Sequence, residues 1–134
     1  MAALFSRRIS LFKTVLLLMF LTMLKAKTHV RIINNLPDDM QLHIHCQSGD
    51  DDLGFHELSN LSSFEFSFKP NWIGSTRFFC FMAWLSNGHY FDIYEYRRDG
   101  TCLWTEHTCK WHVTPNGPCK EFSNGTARCY PWNT

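Results

Sequence analysis

Six cysteines, at positions 46, 80, 102, 109, 119 and 129, all follow a short apolar stretch near the N-terminus. That arrangement limits what the chain can become more than any other feature. Thr14 to Leu24 (TVLLLMFLTML) is uncharged and is preceded by Arg7 and Arg8. It falls well short of the about 20 apolar residues that span a bilayer. A positive region followed by a short apolar run is the pattern of a secretory signal peptide. Residues 1–26 are therefore read as a leader, with cleavage expected after Ala26, and residues 27–134 as a single domain. Secretion places the cysteines in an oxidising compartment, where an even number in a short chain reads as a disulfide framework. No Cys-x-x-Cys occurs, so the spacing that dithiol redox centres and many zinc sites use is missing.

Loss of the leader removes four basic residues and no acids. Nine Lys and Arg then face twelve Asp and Glu, a net charge of −3 with His neutral. Nucleic-acid binding needs a basic footprint, and none remains. With 45% hydrophobic and 16% aromatic residues, the chain can bury enough surface to fold. No second apolar span and no lipid-anchor tail follows the leader, so a soluble monomer without membrane insertion is expected.

Alternation with a period of two dominates the remainder. Val30 to Ile33 is β-branched and ends in Asn34-Asn35-Leu36-Pro37, a turn cluster. Leu42, Ile44 and Cys46 alternate with His43 and His45. Ser63 to Phe68 sets three Phe opposite small or polar residues. Thr76 to Leu85 is apolar on both faces, as expected of a covered central strand, and Asn87-Gly88 marks a hairpin. Its partner, His89 to Arg97, should set Phe91 and Ile93 on one face and Tyr90, Asp92, Tyr94 and Tyr96 on the other. Two further short strands follow, around Cys109 to Val113 and Cys119 to Phe122, with a return from Thr126 to Trp132. Asp50 to Leu61 is allowed one helical turn at most. About eight short strands and no long helix after the leader predict an all-β fold, a small antiparallel sandwich braced by disulfides.

Cys119 and Cys129 flank the last predicted hairpin, where facing side chains come within bridging range. Among the 15 full pairings that six cysteines allow, Cys46–Cys109 and Cys80–Cys102 are favoured for the rest.

In its motifs the chain resembles the plant self-incompatibility S-protein family. His45-Cys46-Gln47-Ser48-Gly49-Asp50-Asp51-Asp52-Leu53-Gly54 is similar to the family's cysteine–acidic–Leu-Gly loop. Val30 to Leu36, Phe64 to Phe68, Phe79 to Trp84 and Cys109-Lys110-Trp111 match further family segments in order. The resemblance implies a secreted β-sandwich with two disulfides drawn from Cys46, Cys80, Cys102 and Cys109; Cys119 and Cys129 are additional to it. It further implies a ligand rather than an enzyme, perceived by a cell-surface receptor or membrane protein, as in the rejection of self pollen.

Other chemistry has fewer residues behind it. His43 and His45 could chelate a metal with His107 or His112, yet no third ligand has diagnostic spacing. Asp50, Asp51 and Asp52 do not match the calcium-loop pattern, since Gly54 is misplaced for it. No catalytic motif of hydrolases is present, so neither a cofactor nor an enzymatic role is expected. Tyr90, Tyr94 and Tyr96 could form a sugar-binding platform, which keeps a carbohydrate-binding module as the alternative, with a small hydrolase or ribonuclease behind it. Asn60-Leu61-Ser62 and Asn124-Gly125-Thr126 are N-glycosylation sequons, with Asn60 the more accessible expectation. The recognition surface is expected in the loop of Gln47, Ser48, Asp50, Asp51 and Asp52, a fixed negative patch suited to a basic partner.

Overall fold

The computed structural model describes residues 2–71, 73–102 and 108–133. A helix, α1 (Ala2–Lys25), precedes nine strands: β1 (Thr28–Asn34), β2 (Leu42–Gln47), β3 (Asp52–Leu58), β4 (Ser63–Phe68), β5 (Arg77–Trp84), β6 (Asn87–Glu95), β7 (Thr108–Thr114), β8 (Gly117–Glu121) and β9 (Ala127–Cys129). A single helical turn, α2 (Tyr96–Asp99), follows β6. The strands form two sheets, in the orders β4-β1-β7-β8-β9 and β3-β2-β5-β6. All neighbours run antiparallel except β1 and β7, which are parallel. The sheets pack into a sandwich, because each strand has one apolar face that only a second sheet can cover. Along α1, apolar side chains such as Phe12, Leu17 and Phe20 remain on the surface.

The core lies between the sheets. Val30 and Ile32 from β1, Ile44 from β2, Met82 from β5, Ile93 from β6 and Trp111 from β7 are at most 1% exposed. Burial of each such side chain stabilises the fold by about 1.5–3 kcal/mol. Asn34 closes one end of this core. Its side-chain amide donates to the carbonyls of Met40 and Leu58, and its Oδ1 accepts from the Leu36 N–H, so a buried polar group is fully used.

Three features of the strands depart from the sequence reading, besides the β5–β6 turn, which falls on Leu85-Ser86 because Asn87 and Gly88 pair with Trp84 and Ala83. Asp52 to Leu58 is an edge strand, not a helical turn, because it satisfies the outer backbone groups of β2 over His43, Ile44 and His45. β5 is central in its sheet but covered on one side only: Phe78, Cys80, Met82 and Trp84 are buried, while Phe81 stands 37% exposed on the outer face. The third change arises from a bulge. Phe78 faces Tyr94 and Cys80 faces Phe91, so β6 carries one residue more than β5 between these pairs. The extra residue reverses the alternation, and Tyr94 enters the core with Phe91 and Ile93.

The disulfides join Cys46 to Cys80, Cys102 to Cys109 and Cys119 to Cys129. The favoured pairs Cys46–Cys109 and Cys80–Cys102 are thus corrected. Cys46 and Cys80 stand directly opposite each other on β2 and β5, whereas Cys109 belongs to the other sheet and reaches back only to Cys102. Cys119 and Cys129 are opposite on β8 and β9.

Candidate recognition loop

The loop between β2 and β3 starts at Ser48, two residues beyond Cys46, whose bond to Cys80 ties it to the central strand. Ser48 organises the loop. Its N–H donates to the Asp51 carbonyl at 2.7 Å, and its Oγ accepts from the N–H groups of Asp50 and Asp51 at 3.3 and 3.0 Å. A serine therefore caps the N–H groups of Asp50 and Asp51, and the Asp50 and Asp51 carboxylates stand exposed on the turn. Gln47 is half-buried beside Asp52 and Phe79.

Asp52 differs from its two neighbours. Its Oδ1 accepts from the Gly54 N–H at 2.9 Å and lies 2.6 Å from Nε2 of His45. The Gly54 N–H, and after it His45, holds this carboxyl below the usual carboxylate range. Gly54 has φ +78°, a left-handed conformation that costs glycine little. Leu53 packs against the core. Within the run of three acids, Asp52 is thus fastened to the fold, and Asp50 and Asp51 are presented outward.

The other candidates do not converge. His43 and His45 point away from the core on one sheet, and His45 also packs on the Phe55 ring, 4.1 Å between centroids. His112 lies on the outer face of the opposite sheet, with Nε2 2.7 Å from Glu121. The carboxyl of Glu121 is held below the usual range, first by His112. His107 lies outside the described residues. Among the described residues no group of three or more His, Cys, Asp or Glu is placed to hold a metal ion. The tyrosine platform is not assembled either: Tyr94 is buried, Tyr96 sits on α2 and Tyr90 alone stays on the outer sheet face.

That outer face carries a row that the sequence did not reveal. Phe55, His45, Phe81 and Tyr90 occupy one register level across all four strands. Phe81 and Tyr90 have ring centroids 4.9 Å apart, and Phe55 is 81% exposed. His45 and Tyr90 are legible singly as outward positions in alternating strands, whereas Phe55 and Phe81 are not. Only the register aligns them.

The model of the family described as plant self-incompatibility protein S1 matches residues 29–132, nearly the whole sandwich. The chain belongs to that family. Among its relatives from Arabidopsis thaliana, S-protein homolog 2 is 40% identical over 113 residues, covering 81% of this chain and 70% of the relative. S-protein homolog 3 is 38% identical over 111 residues, covering 78% and 71%. S-protein homolog 5 is 41% identical over 101 residues, covering 75% and 74%. A solved structure of an SPH (self-incompatibility protein homologue) protein shares the fold with a TM-score of 0.57 at 14% identity, over 81% of this chain and 96% of that one. The SPH proteins are a widespread family of small, highly stable, secreted proteins from plants. Family membership places this chain in that secreted class, and no helix of the described residues is long and apolar enough to cross a membrane.

Proposed function

We propose that this member of the S-protein family is an extracellular recognition ligand, released from a leader of residues 1–26 and perceived by a receptor or membrane protein at the plant cell surface. Its role would be of the type that the family name describes, the recognition of self pollen, and would proceed by binding rather than catalysis. One observation carries the reading. Asp50 and Asp51 present two adjacent carboxylates on a turn whose own hydrogen bonds run through Ser48, next to a disulfide that holds the turn to the central strand. Like charges held side by side cost energy, and nothing in the turn's bonding requires them. A basic site on a partner would offset that cost and gain from the pre-set geometry.

The test is proximity crosslinking of the purified secreted protein to plant cell surfaces, followed by the same capture with Asp50→Asn and Asp51→Asn together. Secretion and melting should be retained, while capture of the partner weakens and loses its dependence on salt. Lost secretion or a large drop in melting temperature would show that the acids serve folding instead. A second reading, a carbohydrate-binding module, is favoured by the exposed Phe55–Phe81–Tyr90 row, since flat aromatic faces on a rigid sheet suit sugar rings. Binding on a glycan array that is lost in Phe55→Ala and Tyr90→Ala, but kept when Asp50 and Asp51 are changed, would select it.

A further inference from the structure

The hairpin between β8 and β9 turns through Phe122-Ser123-Asn124-Gly125-Thr126. The Phe122 N–H donates to the Thr126 carbonyl at 2.8 Å, and the Gly125 N–H donates to the Phe122 carbonyl at 3.0 Å. Gly125 has φ +85°. This is the three-residue hairpin loop closed by a glycine bulge. Phe122 and Thr126 face each other across it, so their side chains share one side of the hairpin. Asn124 joins them: its Oδ1 accepts from the Thr126 hydroxyl at 2.6 Å and from the Thr126 N–H at 3.1 Å. The turn's hydrogen bonds thus fall on Oδ1 and not on the amide nitrogen. Asn124 and Thr126 are exposed, and Phe122 is half-buried, with Lys120 Nζ 5.5 Å from its ring centroid. A shallow cleft of about 210 Å³ is lined by Phe122, Ser123 and Gly125 of the turn together with Thr108, Lys110 and Glu121.

We propose that Asn124 is an N-glycosylation site whose first N-acetylglucosamine seats on the Phe122 ring, so that the glycan is a structural part of this hairpin. The donor would be a lipid-linked oligosaccharide of the secretory pathway. Nδ2 forms a bond to C1 of the sugar, the C1–O bond to the lipid diphosphate breaks, the diphosphate leaves with the electron pair, and Nδ2 loses one proton. The C–H bonds of the sugar face carry partial positive charge and meet the negative face of the aromatic ring. Attachment two residues from Phe122, on the same side of a tight turn, brings sugar and ring together with little ordering cost, because the turn is already formed.

Asn60 offers the contrary case. Its amide nitrogen donates to Asp39 at 3.1 Å, and the hydroxyl of Ser62, the third residue of its sequon, donates to the Ser59 carbonyl. Leu61 between them has φ +63°, an uncommon conformation for a branched side chain. A glycan on Asn60 would disturb the bond to Asp39, whereas one on Asn124 uses an atom that its turn does not need. On this proposal Asn124 comes before Asn60, the reverse of the order expected from accessibility. The inference needs passage through the secretory pathway but not any particular receptor.

The full chain should be expressed in a eukaryotic secretory host that builds mannose-rich glycans, and site occupancy read from glycopeptide masses. One portion is then trimmed by an endoglycosidase that leaves a single N-acetylglucosamine, and another is stripped by an amidase. Most molecules should carry a glycan at Asn124. The single-sugar form should melt about 4 °C or more above the stripped form, and above Asn124→Asp expressed directly, which has the side chain the amidase leaves. The gap should persist in Asn60→Gln and vanish in Phe122→Ala. Should Phe122→Ala fail to fold, the two trimmed forms of the unaltered chain still decide the matter. An unmodified Asn124, or equal melting of those two forms, would overturn the proposal.

Discussion

Lys120 Nζ lies 2.7 Å from Asp99 Oδ1, and both side chains are cut off from solvent. Lys120 is on β8 of the five-stranded sheet, and Asp99 ends α2, which continues from β6 of the other. The pair therefore ties the two sheets together at one end of the sandwich. Asp99 is well satisfied: it also accepts from the Glu95 N–H and from Arg98, whose guanidinium lies over the Trp111 and Phe91 rings at 4.8 and 4.9 Å. Arg98 in turn donates to the Asp92 carbonyl.

Removing one partner of a buried ion pair strands the other charge, at a typical cost of about 3–5 kcal/mol. Asp99→Ala, which leaves Lys120 buried without a carboxylate, should reach that range in equilibrium urea unfolding. Lys120→Met should cost less, because Arg98 still neutralises Asp99. The opposite order would contradict this account.

Gly117 holds the C-terminal segment in place. It has φ +141°, and a Cβ there would stand 2.0 Å from the Tyr130 carbonyl oxygen, beside the Tyr130 N–H bond to Pro118 O. Gly117→Ala should destabilise the fold by about 2 kcal/mol or more. Gly49→Ala, which meets nothing within 4 Å, should change the urea midpoint little.

Burial, and after it the Asp99 charge, pushes the Tyr94 hydroxyl up to about 12. Since the native state holds this proton more tightly than the unfolded chain, the associated stability is complete below about pH 10 and is lost as pH rises toward 12. Absorbance titration should show one tyrosine ionising late. Tyr94→Phe should remove that step, and it should be close to neutral in stability at pH 7, as the hydroxyl has no hydrogen-bond partner among the described residues.

On the acid side the sign is reversed. The lowered pKa of Asp52 means that its contribution is present above the usual carboxylate value of about 4 and is lost as pH falls through the native value. Melting temperature measured from pH 5 to pH 2 should decline less steeply in Asp52→Asn.

The disulfides should open in order of access. Cys129 is exposed, while Cys46, Cys80, Cys102 and Cys109 are at most 1% exposed. Graded reduction with stepwise alkylation should label Cys119 and Cys129 first. Early labelling of Cys46 or Cys80 would place the structural weight elsewhere.

Local features carried much of this molecule in plain view. Alternating side chains in segments such as Ser63 to Phe68 specify half-covered strands, because a period of two admits no other regular structure with one dry face. Turn residues placed most of the breaks, though Asn87-Gly88 lies inside β6, and ordered motifs gave the family. Beyond the β5–β6 and β8–β9 hairpins, what the sequence could not state was which strand lies beside which, and in what register. The parallel pairing of β1 with β7, the edge position of β3 and the partners of Cys46 and Cys102 all depend on contacts between segments distant along the chain. The bulge that turns Tyr94 inward arises only when β6 is laid against β5, and the alignment of Phe55, His45, Phe81 and Tyr90 exists only across four strands. Asp99 and Lys120 read as surface charges until packing removes their water and leaves each as the other's partner. The sequence by itself determined most of the strands and the cysteine content, since these rest on local periodicity and composition, and its ordered motifs carried the resemblance to the family. Tertiary structure decided register, pairing and which of three adjacent acids remains available, because those choices are made by the free energy of burying and satisfying groups far apart in the chain.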